Sequence, residues 1–300
     1  MYQGPIIDTH HHIWEVRNYP WLLEPPRPRI FGDSYELLRQ DYLITDLKAD
    51  YGDHNLVKSV HAQAHYNPAD PVGETRWLQA VADQHGFPHG ITGHARMSDP
   101  NVEAVLTAHC QFKNMRGIRD HVTYEPTRAA WQAVDRPDYC LNADYRRGLK
   151  LLAGHKLHYE LQGFPNQFHY FAELVGGMPE LQFCLVHSGL LTGDDPASIA
   201  AWEKGLRHLV PYQNLTVKCS GVNNVNWGPP RPYAAIALQY NTLLDMFGAD
   251  RCFFGSNFPV EKLKNSYATL MATLKMALAH RPPAEQRAFF HDTAARFYRI

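Results

Sequence analysis

The sequence predicts one α/β domain spanning residues 1–300 and built as a (β/α)8 barrel. Eight short apolar or β-branched runs are each followed by a stretch with helical spacing, the pattern of repeated βα units around a parallel sheet. A length of 300 residues suits such a barrel as one unit, since these folds commonly reach about 250 residues or more. No sequence repeat or low-complexity tract points to a solenoid instead.

The strand candidates are Pro5–Ile13, Lys58–His65, Gly90–Met97, Met115–His121, Lys156–Gln162, Leu181–His187, Leu215–Ser220 and Arg251–Asn257. Asp70-Pro71, Asp99-Pro100 and Asp195-Pro196 each predict a helix start, with the aspartate as cap and the proline at the first helical position. Tyr267, Leu270, Met271, Leu274, Ala277 and Leu278 share one face of a long helix that should pack outside the sheet. Two segments fall outside the repeat, the proline-rich Tyr19–Phe31 and the connection Tyr124–Cys140. Both are expected over the mouth of the barrel, where insertions carry specificity.

Composition narrows the function classes. A net charge of -1 gives no electrostatic footprint for nucleic acid, so a small-molecule substrate is the expected partner; homo-oligomerisation stays open. The five cysteines, Cys110, Cys140, Cys184, Cys219 and Cys252, are scattered with no C-x-x-C pair, which argues against a disulfide framework or zinc ribbon. The start, MYQGPIIDTH, lacks a basic region followed by an apolar one, and no apolar run nears the roughly 20 residues that span a bilayer. A cytoplasmic protein without membrane contact is expected.

The 18 histidines carry the strongest functional signal. Parallel strands covered by helices should be apolar on both faces, yet several candidates alternate. Strand one puts Asp8, His10 and His12 on one phase; strand two puts His61, Gln63 and His65 opposite Val60, Ala62 and Ala64; strand five puts Lys156, His158, Glu160 and Gln162 opposite Leu157, Tyr159 and Leu161. If the apolar phase faces the helices, the polar phase faces the barrel axis, whose carboxyl end is the active-site end. The same alternation turns His94 and Arg96, Arg119 and His121, Phe183 with Leu185 and His187, Lys218 and Ser220, and Gly255 and Asn257 inward. Buried polar groups left unpaired cost a few kcal/mol each, so a hydrated pocket is expected. Arg116 falls on the opposite phase from Arg119 and is read as a structural ion-pair partner. Cys184, Cys219 and Cys252 are read as small core residues.

Asp8-x-His10-x-His12, the segment His187-Ser188-Gly189, VKCSG at 217–221 and GSNFPVEKL at 255–263 together resemble the amidohydrolase superfamily, in its lactonase-like, amidohydrolase-related branch. DPVGETRWLQA at 70–80, RGIR at 116–119 and ELQGFPNQ at 160–167 extend the resemblance over nearly the whole chain. It implies a TIM barrel of the metal-dependent-hydrolase type, with room for distortion of the ring, and a hydrolytic centre lined by His10, His12 and His187. Arg119 and Lys218 would stand beside the substrate, with His94, His158, Gln63 and His121 as further contacts.

One position departs from the family. The strand-eight aspartate, a metal ligand or general base, is matched by Asn257, whose amide accepts no proton near neutral pH. No lysine occupies the inward phase of strand four, where Arg119 stands, so a two-metal site is disfavoured. What remains is either no cofactor or a single divalent metal, zinc first, on His10, His12 and His187; a zinc-bound water would ionise near about 7.

The leading expectation is hydrolysis of a lactone, with water attacking a polarised carbonyl. The inward cations Arg96, Arg119, Lys156 and Lys218 favour an acidic or sugar-acid lactone. The base would be Glu160, a histidine such as His187 or His12, or a metal-bound hydroxide. The alternatives are a metal-dependent decarboxylase, and a lactone isomerase or binding protein that lacks the usual aspartate.

Overall fold

A computed structural model describes residues 1–23, 32–223 and 229–300; residues 24–31 of the proline-rich segment lie outside the described residues. The strands are β1 Ile6–His11, β2 Leu56–Ala62, β3 Gly90–Gly93, β4 Met115–Arg119, β5 His158–Leu161, β6 Phe183–Leu185, β7 Leu215–Cys219 and β8 Cys252–Phe254. They form one parallel eight-stranded sheet in sequential order. Among the described residues the helices are α1 Pro20–Leu23, α2 Ile44–Tyr51, α3 Gly73–His85, α4 Val102–His109, α5 Ala143–Gly154, α6 Phe168–Gly176, α7 Pro196–Arg207, α8 Tyr233–Phe247, α9 Tyr267–Ala277, α10 Pro283–Arg287 and α11 Thr293–Tyr298. None of them is long and apolar enough to cross a membrane.

The order is that of a (β/α)8 TIM barrel, closed between its first and last strands by a short seam. His11 bridges Phe258; the Asn257 amide donates to the His10 carbonyl at 2.5 Å, and the His12 amide donates to the Phe258 carbonyl at 2.7 Å. Asp195 caps α7 by accepting from the amides of Ala197 and Ser198. The other two Asp-Pro pairs precede their helices by a turn, because α3 begins at Gly73 and α4 at Val102. On α9, Tyr267, Leu270, Met271, Leu274 and Ala277 are buried, as their spacing predicts.

Ile7, Val60, Cys184 and Phe253 meet inside the barrel against Phe297 and Tyr298 of α11, which plug its amino-terminal end. This small cluster fixes the inward phase of each strand and corrects three expectations. In β2 the inward residue is Val60, while Ser59 and His61 face the other way. Apolar burial decides that phase, and the polar pair is satisfied by His11 Nε2 at 2.9 Å from Ser59 Oγ and by the Ile13 carbonyl at 3.3 Å from His61 Nε2. In β6 the inward residue is Cys184, while Phe183 and Leu185 join the outer core. In β1 a bulge sets Asp8 opposite Ser59 but His11 opposite His61, and the extra residue breaks the alternation. Asp8 therefore points away from the axis, accepting from Tyr51 Oη of α2 at 3.2 Å, whereas His10 points inward.

Strand five behaves as expected, with His158 and Glu160 inward and Leu157, Tyr159 and Leu161 in the outer core. The β4 residue paired with His158 is Gly117, and a Cβ there would overlap the His158 ring, so this close approach requires glycine. Two expected inward cations lie elsewhere. Lys156 is exposed ahead of β5, and Arg96 is exposed beyond the end of β3. Arg116 donates to the carbonyls of Lys113 and Met115 where an ion pair was expected. Trp131, from the long connection after β4, packs on Phe164 and Leu190 and so folds that connection over the ends of β5 and β6.

Removing the plug should loosen the barrel. Tyr298→Ala deletes a ring with no exposure together with its hydroxyl bond to Glu160, and we expect it to lower unfolding stability in urea by about 3 kcal/mol or more. A loss below 1 kcal/mol would mean that the amino-terminal end is held by other contacts.

Candidate active site

Four segments leave the carboxyl ends of their strands and bring side chains together. His10 and His12 follow from β1, Arg119 ends β4, His187 follows β6 and Asn257 follows β8. His187 and Asn257 have φ of 55° and 63°, and His65, beyond β2, has 58°. This left-handed conformation costs a non-glycine residue about 1–2 kcal/mol, and it turns each chain sharply out of its strand. His187 reaches the site through that turn, although its strand runs in the opposite phase from the one expected.

The His10 and His187 ring centroids are 4.5 Å apart, and those of His10 and His12 are 5.1 Å apart. His12 Nδ1 lies 2.7 Å from the Ala62 carbonyl, which can only accept, so the ring carries its proton there and Nε2 holds the lone pair. The Asn257 side chain is hydrogen-bonded to His12. His187 Nδ1 lies 3.0 Å from Ser220 Oγ. Arg119 donates to the Gln63 carbonyl and reaches His10 Nε2 at 3.4 Å and Gln162 Oε1 at 3.5 Å. Gln63 thus meets Arg119 through its backbone, while its side-chain oxygen accepts from the His65 amide at 2.8 Å.

Burial drives the imidazoles of His10, His12 and His187 well below the ordinary histidine value, and the neighbouring cations Arg119 and Lys218 reinforce this for His10 and His187, as does Arg119 for His12. All three rings are neutral at pH 7. The centre is also nearly closed to bulk solvent: His12 and His187 are each 6% exposed and Arg119 4%.

Below it the inward charges are paired. Lys218 Nζ sits 2.6 Å from Glu160 Oε1, which also accepts from Thr92 at 2.9 Å and Tyr298 at 3.0 Å, with His158 Nε2 at 3.5 Å. Burial alone would raise the Glu160 carboxyl, but Lys218, His158 and Arg119 hold it far below the ordinary carboxylate range. With Lys218, Thr92 and Tyr298 all on Oε1, this carboxylate serves as the anchor of a buried ion pair.

At the mouth, His65 Nε2 and His121 Nδ1 lie 2.8 Å apart, and His94 Nε2 is 3.7 Å from Asp120. These residues border an open cleft of about 730 Å³ over the ends of β2, β3 and β4, reaching outward between α3 and α4. His94 and His121 therefore belong to this cleft, beside the central cluster.

The sequence profile described as Amidohydrolase matches residues 7–300. The chain belongs to the amidohydrolase family. It is 39% identical to an uncharacterized protein, y4mH, of Sinorhizobium fredii, over 98% of each chain. It is 27% identical to an L-fucono-1,5-lactonase of Burkholderia multivorans, over 98% of this chain and 96% of the lactonase. A crystal structure of an amidohydrolase from Burkholderia multivorans with bound zinc superimposes with a TM-score of 0.83 at 25% identity, over 99% of this chain and 100% of that one. Within the family this amidohydrolase falls in the lactonase-like branch.

The donor atoms of this amidohydrolase do not fit a metal as they stand. His10 Nε2 faces a guanidinium, Asp8 is turned away to Ser256 and Tyr51, and Asn257 offers an amide in place of a carboxylate. Among the described residues no three His, Cys, Asp or Glu side chains converge to hold an ion.

Sequence reasoning missed Thr92 and Tyr298, the two hydroxyls on Glu160; the first is one threonine in a short strand and the second is brought in by tertiary packing alone. It also missed Ser256, whose amide and hydroxyl donate to Asp8 at 2.8 and 2.6 Å and tie β8 to β1. The signal for that pair was the short polar Ser256 next to Asn257 in GSNFP.

The cleft contains a carboxyl with a measurable signature. Glu74 Oε1 accepts from the Ala64 amide and the Tyr19 hydroxyl, both at 2.9 Å, and burial raises its value to about 7. The folded chain then holds a proton that the unfolded chain releases near 4.5, so the stability Glu74 contributes is fully present in acid and falls as pH rises from about 4.5 to 7. Glu74→Gln keeps both accepted bonds and should flatten that fall by about 3 kcal/mol across the window in urea titrations. An unchanged pH slope would mean that Glu74 is ionised in the fold.

Proposed function

We propose that this amidohydrolase opens a lactone by direct attack of water, using its own side chains. The observation that carries the reading is the convergence of three neutral imidazoles and one guanidinium in a buried cluster at the carboxyl end of the barrel. Similarity to L-fucono-1,5-lactonases over almost the full chain supports a lactone as the substrate class.

In this mechanism the Arg119 guanidinium binds the lactone carbonyl oxygen, held in place by the Gln63 carbonyl and His10. His12 acts as base: its Nδ1 proton is fixed by the Ala62 carbonyl, so Nε2 takes a proton from water while the Asn257 amide orients the pair. The hydroxide adds to the carbonyl carbon, and Arg119, buried in the protein, stabilises the tetrahedral oxyanion. Collapse breaks the ring C–O bond, and the departing alkoxide takes the proton back from His12, giving the hydroxy acid. His187, steadied by Ser220, packs against His10 and lines the far side of the ring. Glu160 fixes Lys218 and leaves the base role to His12. His158 supports the same pair.

No step is routed through a metal, because the Arg119 guanidinium faces His10 Nε2 and Asn257 offers an amide where a carboxylate ligand would stand. Turnover of aldonolactones followed with a pH indicator tests the scheme. Arg119→Met should lower kcat by about 10²–10³-fold and His12→Ala by about 10²–10⁴-fold, with wild-type rates unchanged after exhaustive chelation. Full activity in both variants, or loss on chelation restored by zinc, would overturn it.

A further inference from the structure

The cleft beside the centre has a composition that the lactone chemistry leaves unused. Among the described residues, none of His10, His12, His187 or Asn257 lines it, while His65 and His121, which do, lie within electrostatic reach of Arg119. At about 730 Å³ it falls within the roughly 300–1,000 Å³ of clefts that enclose whole ligands, and it adds to whatever space the reacting ring takes.

Its lining is of two kinds. Trp21 and Tyr66 are its aromatic members, and the indole plane is fixed by an Nε1 bond to the Ala64 carbonyl at 2.7 Å. The lining also carries polar groups of both signs. The Arg96 guanidinium is exposed and forms no ion pair among the described residues. Asp120 is held by the Met97 amide at 2.9 Å, and Asp99 by the Asn101 amide at 2.7 Å. In the same lining, His121 Nε2 is buried without a hydrogen-bond partner. An anionic ligand would meet carboxylates there as well as the Arg96 guanidinium. A neutral ring bearing several hydroxyls satisfies donors and acceptors together, and its C–H face stacks on the aromatic members.

We propose that this cleft is a glycosyl subsite. It holds a neutral sugar ring attached to the lactone, so the substrate is the lactone of a glycosylated aldonic acid, larger than a single sugar lactone. This rests on the lactonase reading for the reactive end of the molecule, while the cleft itself is tested without turnover.

Two measurements decide it. The first is calorimetric titration with cellobiose, which has no lactone to open; saturable heat is expected in the wild type and loss of it in Arg96→Ala and Tyr66→Ala. The second is the ratio of kcat/KM for cellobiono-1,5-lactone to that for glucono-1,5-lactone. Both variants should lower this ratio about ten-fold, through KM with kcat retained, as expected for loss of binding contacts remote from the reacting bond. A flat titration in the wild type, or a ratio within two-fold of wild type in both variants, overturns the proposal. If neither lactone is turned over, the lactonase reading fails and the titration alone decides the cleft.

Discussion

Inside the barrel, with no exposure on either side chain, the Glu160 carboxylate meets the Lys218 ammonium at 2.6 Å, and the surrounding architecture is arranged to make that tolerable. Each ion alone would carry a desolvation cost of several kcal/mol, which mutual attraction offsets only when the remaining lone pairs find donors. Thr92 from β3 and Tyr298 from α11 donate, and His158 approaches, on the same Oε1 that Lys218 meets, while Oε2 has no hydrogen-bond partner among the described residues. One carboxylate thereby links β3, β5, β7 and the terminal plug. The pair also separates the floor of the barrel from the site above it, since Lys218 and Glu160 bias the imidazoles that lie over them.

Above this floor, the arrangement depends on backbone turns more than on strand direction. His187 and Asn257 leave their strands in left-handed conformations, and the bulge in β1 rotates His10 inward while Asp8 goes out. Gly255 makes room for the result: a Cβ there would stand 2.7 Å from His10 Cβ. Arg119 is then held by a carbonyl and two side chains, and the His12 tautomer is fixed by another carbonyl. The polar groups are positioned before any ligand arrives, which is the condition under which electrostatic stabilisation costs no reorganisation.

How much of this was legible in the sequence differs strand by strand. Strand five was readable because it is straight and its two phases are chemically distinct. Strand one was readable in its histidines but not in Asp8, since a bulge leaves no mark on composition. Strands two and six were misread for a common reason: polarity was taken to mark the axis. Outward polar residues such as His61 can be satisfied behind the sheet, and an inward residue such as Cys184 can pack on a ring contributed by a distant helix. The family motifs located His10, His12, His187 and Asn257 in the same cluster regardless of phase. Exposed positions such as Arg96, and partners delivered by the C-terminal helix such as Tyr298, depend on tertiary placement that spacing does not encode.

The Asp8–Ser256 tie has a consequence for how the chain matures. Its partners are 248 residues apart, so the support beneath His10 cannot assemble on a ribosome until β8 has emerged. Until then Asp8 lacks the amide and hydroxyl that Ser256 supplies. Locking the ring then coincides with supplying those donors, so the last strand to be made organises the first.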